Sequence, residues 1–206
     1  WQAQQDPHGY ITLLGGRDAL VKKLDALFTE SSAIDGEVPA DMTGLVGMYA
    51  HGNEPSHHVA YLYCYAGEPW KTQQRVRNLL DTQYDNQPDG LSGNEDCGQM
   101  SAWYVISALG FYAVDPASGN YVLGAPRFDR AMVDVGARQP LIIEARRKSE
   151  SDIYVQSVTL NGAPLDKVWF RHADIANGGS LVFVMGPEPS RSFGSAPSAA
   201  PPSLTR

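Results

Sequence analysis

Two short stretches of this chain gather residue types capable of acid–base and hydrogen-bonding chemistry. The first is HGNEPSHH, residues 51–58, and the second is GLSGNEDCGQMSAWY, residues 90–104. Each sets acids and amides where a loop enters an apolar run, and a helix start there offers unpaired backbone N–H groups to a ligand. In the second stretch Asn94, Glu95, Asp96 and Gln99 stand beside Trp103 and Tyr104. Carboxylates can move protons, amides can bond hydroxyls, and aromatic rings can cover the apolar face of a sugar. Each residue also has a plainer reading. Asn53 or Glu54 can cap a first turn, Asp96 can be the N-cap of the helix after it, and Trp103 and Tyr104 can be core. Both readings stand at this level.

The histidines and cysteines carry less. His57 and His58 are adjacent, so on a helix they point about 100° apart and do not share a metal easily. There is no HExxH, which makes zinc a weak reading. Cys64 lies some ten residues, about 15 Å, along one helix, whereas Cys97 opens the next. A disulfide needs Cα atoms within about 7 Å. Two free thiols are expected, neither with the partner of a nucleophile.

The elements that must position these residues follow from hydrophobic period. Gly16–Phe28 places Leu20, Leu24, Leu27 and Phe28 on one stripe, with Arg17, Lys22, Lys23 and Asp25 elsewhere. Pro55–Ala66 reads as a helix that carries no charge past its histidines and stops at Gly67. Pro69 to about Tyr84 is again amphipathic, and Gly98–Leu109 is again uncharged. Charged and uncharged helices thus alternate. An uncharged helix must be buried and an amphipathic one covers it, which predicts two layers of a helical toroid. Antiparallel neighbours place every second helix start on one rim, so the loops 51–54 and 93–96 should face each other.

Beyond residue 110 the period changes to strands. Six short β-branched or aromatic runs are expected: 121–123, 131–135, 141–145, 154–160, 168–170 and 181–184. Turn residues such as Asn161-Gly162 separate them. The fold class is therefore α+β, with helices over 1–110, a small antiparallel β region over 111–186 and a Pro/Ser/Ala-rich tail over 187–206 expected to be disordered.

Composition limits the partners. With a formal charge of −7 and no Lys/Arg cluster, the chain lacks the concentrated positive charge that phosphate binding needs, and no nucleic-acid partner is expected. No apolar stretch is long enough to span a bilayer. Charged residues make up 19%, below the roughly 25% of an average domain, a hint that part of the surface is covered. The sequence opens on Trp1 rather than Met and shows no leader pattern, so it is expected to be a mature product or a part of one.

The segments HGNEPSHHVAYLYCYAGEPWKTQ and GLSGNEDCGQMSAWYVISALGFYAV, followed by YVLGAPRFDRAMVDV and VTLNGAPL, resemble glycoside hydrolase family 92, the calcium-dependent exo-acting α-mannosidases. The resemblance runs from Trp1 to about Gly186. It implies the C-terminal part of an (α/α)6 toroid followed by strands, a mannose-containing glycan as substrate, inversion at the cleaved bond, and a periplasmic or secreted location. It further implies that Asp96 is the general base, with Glu95 assisting. Asn53, Glu54, Asn94 and Gln99 would meet the substrate, and Glu54 and Asp96 would meet calcium. An α-1,2 linkage is the expected preference.

One departure bears on activity. Family members carry their general acid in a Glu-containing segment that runs into a Trp-Gln pair, and Trp1-Gln2 resemble that pair. The acid is then expected just upstream, along with an N-terminal β-sandwich that closes the site, and these 206 residues alone are expected not to turn over. Inversion would need acid and base about 6.5–9.5 Å apart. The alternatives are a non-catalytic carbohydrate-binding or scaffold module and a different toroidal glycosidase or lyase.

Overall fold

The computed structural model describes residues 1–33, 36, 39 and 42–206. Helix α1 (Pro7–Leu14) begins on Asp6, whose carboxylate accepts the Gly9 N–H, and ends on left-handed Gly15. Its eight residues are too few and too rich in Gly, Pro and β-branched types to stand out by period. Helix α2 (Arg17–Thr29) buries Leu20, Leu24 and Phe28, as its stripe predicts. A two-residue hairpin follows, β1 (Leu45–Val46) with β2 (Tyr49–Ala50). Helix α3 (Pro69–Thr82) buries Val76, Leu79 and Leu80 and keeps the Arg77–Asp81 pair outside. Helix α4 (Gln99–Ala108) buries Met100, Trp103 and Ser107.

The first uncharged segment is buried as expected but is not an α-helix. It forms two 3-10 pieces, Glu54–Ser56 and Val59–Cys64, and all six residues of the second are buried. Aromatic and β-branched residues are middling helix formers, so packing on all sides decides the geometry here. The layers are tied through side chains. Tyr61 donates its hydroxyl to Ser107 Oγ on α4 at 2.8 Å, and Tyr63 donates to Asp25 on α2 at 3.0 Å. Lys71 of α3 closes the same junction on Asp25 at 2.6 Å. Amphipathic α2 and α3 thus cover an uncharged interior.

The β region holds two sheets. Strands β3 (Phe111–Tyr112), β4 (Asn120–Leu123) and β9 (Trp169–Arg171) form an antiparallel sheet of three. The other sheet contains β5 (Arg130–Val133), β6 (Leu141–Arg146), β7 (Tyr154–Leu160), β8 (Ala163–Pro164) and β10 (Gly179–Gly186), in the order β5-β6-β10-β7-β8. The expected all-antiparallel arrangement is corrected here, because β10 pairs parallel with β6. The reason is topological. β6 and β7 run oppositely but leave a gap, so a strand entering it must be parallel to one of them. Leu141, Ile143, Leu181 and Phe183 face a second core built on Phe111, Leu123 and Phe170.

The expectation of a disordered tail is also corrected. Arg191 lies 3.8 Å over the Trp70 ring, Phe193 packs against both cores, and Ala199 and Ala200 are buried. Val168 N–H donates to Ala199 C=O at 3.1 Å. A Pro/Ser/Ala composition has little to bury by itself, but here the existing cores supply the surface.

Candidate active site

The two polar loops meet through their glycines. A side-chain carbon on Gly93 would fall 2.6 Å from the Gly52 Cα, and one on Gly52 would fall 3.1 Å from the Gly93 Cα. Such contact is open only to residues without Cβ. The expectation that the loops before the two uncharged segments face each other is met at backbone contact.

Beneath them lies a hydrogen-bonded floor. Tyr84 donates its hydroxyl to Met100 C=O at 3.1 Å, so it accepts from His51 Nε2–H at 2.8 Å. His51 Nδ1 is then the acceptor for Tyr49 OH at 3.1 Å. His57 donates Nε2–H to His51 C=O at 3.0 Å, and its Nδ1 accepts from Gln99 Nε2 at 3.1 Å. The same Gln99 nitrogen donates to Tyr112 OH at 3.1 Å. Trp103 Nε1–H donates to His57 C=O at 3.0 Å. These tautomers follow from the donor order. The rings stack, with His51 and His57 centroids 4.8 Å apart. Burial first, then the facing imidazole, pushes His51 down to about 3. Burial likewise pushes His57 down to about 4. Both rings are therefore neutral and have both nitrogens engaged by protein.

The neighbouring acids Glu95 and Asp96 part company. Glu95 accepts N–H bonds from Gly98 and from Ser101, the latter at 3.1 Å, and so caps α4. The Ser101 bonds first, with that of Gly98, hold its carboxyl below the usual range. Asp96 is exposed and its carboxylate has no hydrogen-bond partner among the described residues. The N-cap position of α4 is Gly98, not Asp96. Asp96, Cys97 and Gly98 have φ of 44°, 59° and 90°. Left-handed backbone at non-glycine residues costs roughly 1–3 kcal/mol and gathers at functional sites. The plain capping reading therefore goes to Glu95, and Asp96 is held outward.

The other expected site residues divide. Asn94 is exposed beside Asp96. Asn53 starts the Glu54–Ser56 turn without a side-chain cap, and its C=O accepts from the Ser56 N–H and hydroxyl. Glu54 is half-buried, and its charge, with that of Glu95, reinforces the upward push that burial gives the Tyr84 phenol. Both acids thus act on one ring. Gln99 has its amide nitrogen committed inward. Trp103 is core, while Tyr104 lines a separate 580 Å³ cleft with Tyr84, Ser101 and Arg127. Cys64 is free and buried, and Cys97 is free and exposed.

Trp1 and Gln2 lie against the first loop. Gln2 Nε2 donates to Pro55 C=O at 2.9 Å, and His58 Nε2–H donates to Trp1 C=O at 2.9 Å. With Asn53 and Ser56 they line a 220 Å³ cleft. The tyrosines that hold the floor, Tyr49, Tyr84 and Tyr112, carry no motif. Only the alternation of apolar and polar atoms within each phenol hints that a buried one needs a polar partner.

The helical layers thus end in a rim of acids and amides, formed where the two loops meet. The model of the glycosyl hydrolase family 92 catalytic domain matches residues 1–187. The chain belongs to glycosyl hydrolase family 92. A family GH92 α-mannosidase of Bacteroides thetaiotaomicron, solved with mannoimidazole, is 42% identical with a TM-score of 0.91, over 98% of this chain and 26% of that one. A family GH92 inverting mannosidase of the same organism is 32% identical with a TM-score of 0.86, over 100% of this chain and 29% of that one. An uncharacterised secreted glycosidase of Arthroderma benhamiae is 29% identical over 99% of this chain and 25% of its own length. The chain spans about a quarter of the length of these relatives. Among the described residues no helix is long and apolar enough to cross a membrane.

Proposed function

We propose that this chain is the C-terminal part of the catalytic domain of a secreted, inverting exo-α-mannosidase that removes terminal mannose from glycans, with α-1,2 linkages preferred. Support comes from the family, from the likeness to an α-mannosidase solved with mannoimidazole and to an inverting mannosidase, and from the fungal relative's description as secreted. The observation that carries it is the division between Glu95 and Asp96. One acid is used up in capping, while its neighbour stands outward and unengaged on the rim.

In this reading Asp96 takes the proton of a water that attacks the anomeric carbon from the face opposite the leaving oxygen. Glu95 fixes the loop that presents it. Asn94, Asn53 and Gln99 contribute hydroxyl contacts. The general acid and the rest of the (α/α)6 toroid and β-sandwich belong to a longer polypeptide, reaching the rim beside Trp1-Gln2. The 206 residues alone are then inactive, and calcium-dependent release of mannose by them would overturn that part.

Calcium fits the rim in kind. A hard cation takes six to eight oxygen ligands, and Asn53, Glu54 and Asp96 offer oxygen. Among the described residues no three acidic, His or Cys side chains converge on one point, so this chain would supply part of a shell through Glu54 and Asp96. Calcium, when bound, would hold the vicinal hydroxyls of mannose and favour a distorted ring. Chelation of the complete protein should abolish mannosidase activity while its unfolding transition persists. Activity indifferent to chelator removes calcium from this account. A complete protein that binds α-mannosides without cleaving them would make the chain part of a binding module instead.

A further inference from the structure

We propose that residues 199–206 act as a strap that positions the Trp1-Gln2 segment against the rim, so that the end of the β region helps set the geometry of the site. The inference rests on the mannosidase reading for its kinetic consequence, though not for its physical one.

The strap is anchored at both ends. On the β side, Ala199 C=O accepts from Val168 N–H, and Ala199, Ala200 and Pro201 are buried. On the helical side, four donors converge on a single oxygen, Oδ1 of Asp6. They are Thr205 Oγ1 at 2.7 Å, Ser203 Oγ at 2.9 Å, Gly9 N at 3.1 Å and Thr205 N at 3.2 Å. Leu204 N–H adds a bond to Gln5 C=O at 3.0 Å, and His8 Nε2 donates to Pro201 C=O at 2.8 Å. The Thr205 hydroxyl, ahead of the other donors, holds the Asp6 carboxyl down at about 2, so the acceptor stays charged throughout the neutral and mildly acidic range. Charge-assisted bonds of this kind are the stronger ones.

From Asp6 the path to the rim is short. Trp1 to Asp6 is a compact run closed by Ala3 N–H to Trp1 C=O at 2.9 Å and Asp6 N–H to Ala3 C=O at 3.0 Å. Its far end holds Pro55 through Gln2 and receives His58 through Trp1 C=O. Pro55 follows Asn53 and Glu54 directly. A displacement at Asp6 is therefore passed to the first rim loop through few bonds. Within α1 the Gly9 and Tyr10 N–H groups hold Asp6 whether or not residues 203–205 are in place, so the strap's own contribution is the three bonds from Ser203 and Thr205.

The test uses the complete protein with Ser203→Ala/Thr205→Val, which removes two hydroxyl donors and leaves the chain length and apolar anchors intact. Thr205→Ser serves as the conservative control. Hydrogen exchange followed by mass spectrometry should show amides of 1–6 and of 53–57 exchanging about tenfold faster in the double variant, with Thr205→Ser near the parent. On an α-mannoside, kcat should fall about tenfold with KM little changed, because a positioning error degrades the reacting geometry. Faster exchange in 1–6 alone, or none, overturns the strap, as does an unchanged kcat in a protein that cleaves the substrate. If the parent protein cleaves no α-mannoside, the functional reading fails while the exchange result still decides the strap.

Discussion

The two loops that touch on the rim turn their polar side chains in opposite directions. In residues 51–58 the histidines go inward, and His51, His57 and His58 are all buried. In residues 93–98 Asn94, Asp96 and Cys97 go outward. The first loop has become floor: the neutral imidazoles of His51 and His57, with both nitrogens of each engaged, are set between Tyr49, Tyr84 and Trp103. The second has become edge, with one acid capping and one left to solvent. One side is thus held by hydrogen bonds and the other is open to solvent, and the glycine contact between Gly52 and Gly93 keeps the two in register.

The sharpest way to break this contrast is at Asp96. In the complete protein, Asp96→Asn should lower kcat by roughly 10²–10⁴ while leaving the urea midpoint unchanged, since the side chain supports nothing structural. A near-native rate would reduce the edge to surface. Next in size is Gly93→Ala. Its new methyl would meet the Gly52 backbone, an overpacking cost of about 1–3 kcal/mol in urea unfolding, with loss of activity from loops pushed apart. A variant as stable as the parent would mean that the loops yield freely.

The floor should also be visible in pH dependence. His51 and His57 have folded pKa values pushed far below the ordinary 6.5. Unfolded chains therefore bind protons that the folded one refuses. Stability is full above about pH 6.5 and falls below it, by about 1.4 kcal/mol per pH unit for each histidine until the folded pKa is approached. His51→Phe should flatten that slope between pH 7 and pH 5 in urea titrations while leaving Tyr49 OH without its acceptor. An unchanged slope would place the titration elsewhere. The smallest effect is expected at Glu95→Gln. The native carboxyl is depressed by its Ser101 and Gly98 bonds, so its contribution is present above the ordinary carboxylate pKa and is lost as pH falls through the depressed one. The variant should melt slightly earlier at neutral pH and converge with the parent in acid.

Much of this was legible in residue pattern, and the failures have physical causes. The stripe of Leu20, Leu24 and Phe28 depends only on period, and α2 and α3 appeared where period put them. The meeting of the loops followed from alternation of charged and uncharged segments. The 3-10 geometry of Val59–Cys64 did not, because packing on all sides outweighs propensity there. The parallel pairing of β6 with β10 joins residues far apart in the chain, and no local signal records it. The tail looked empty because its own side chains bury little, whereas its backbone and hydroxyls find partners on Asp6, Gln5 and Val168. At the site, acids and amides were recognisable by type. Which acid caps and which stands free depends on backbone angles at 96–98, and these only the fold reveals.

The central strand of the five-stranded sheet is also its last. Two antiparallel pairs, β5 with β6 and β7 with β8, are available as soon as residue 164 has been made. They cannot be joined until Gly179–Gly186 arrives to fill the gap between them. Its bonds to β6 span nearly forty residues, so this closure carries a larger loop-entropy cost than either hairpin and should come late in folding. Until then β6 and β7 each expose an unpaired edge with apolar residues on one face, the kind of edge that invites pairing with another chain. The order of synthesis therefore makes residues 165–186 an interval of exposure, in which the half-made sheet most needs protection from its neighbours.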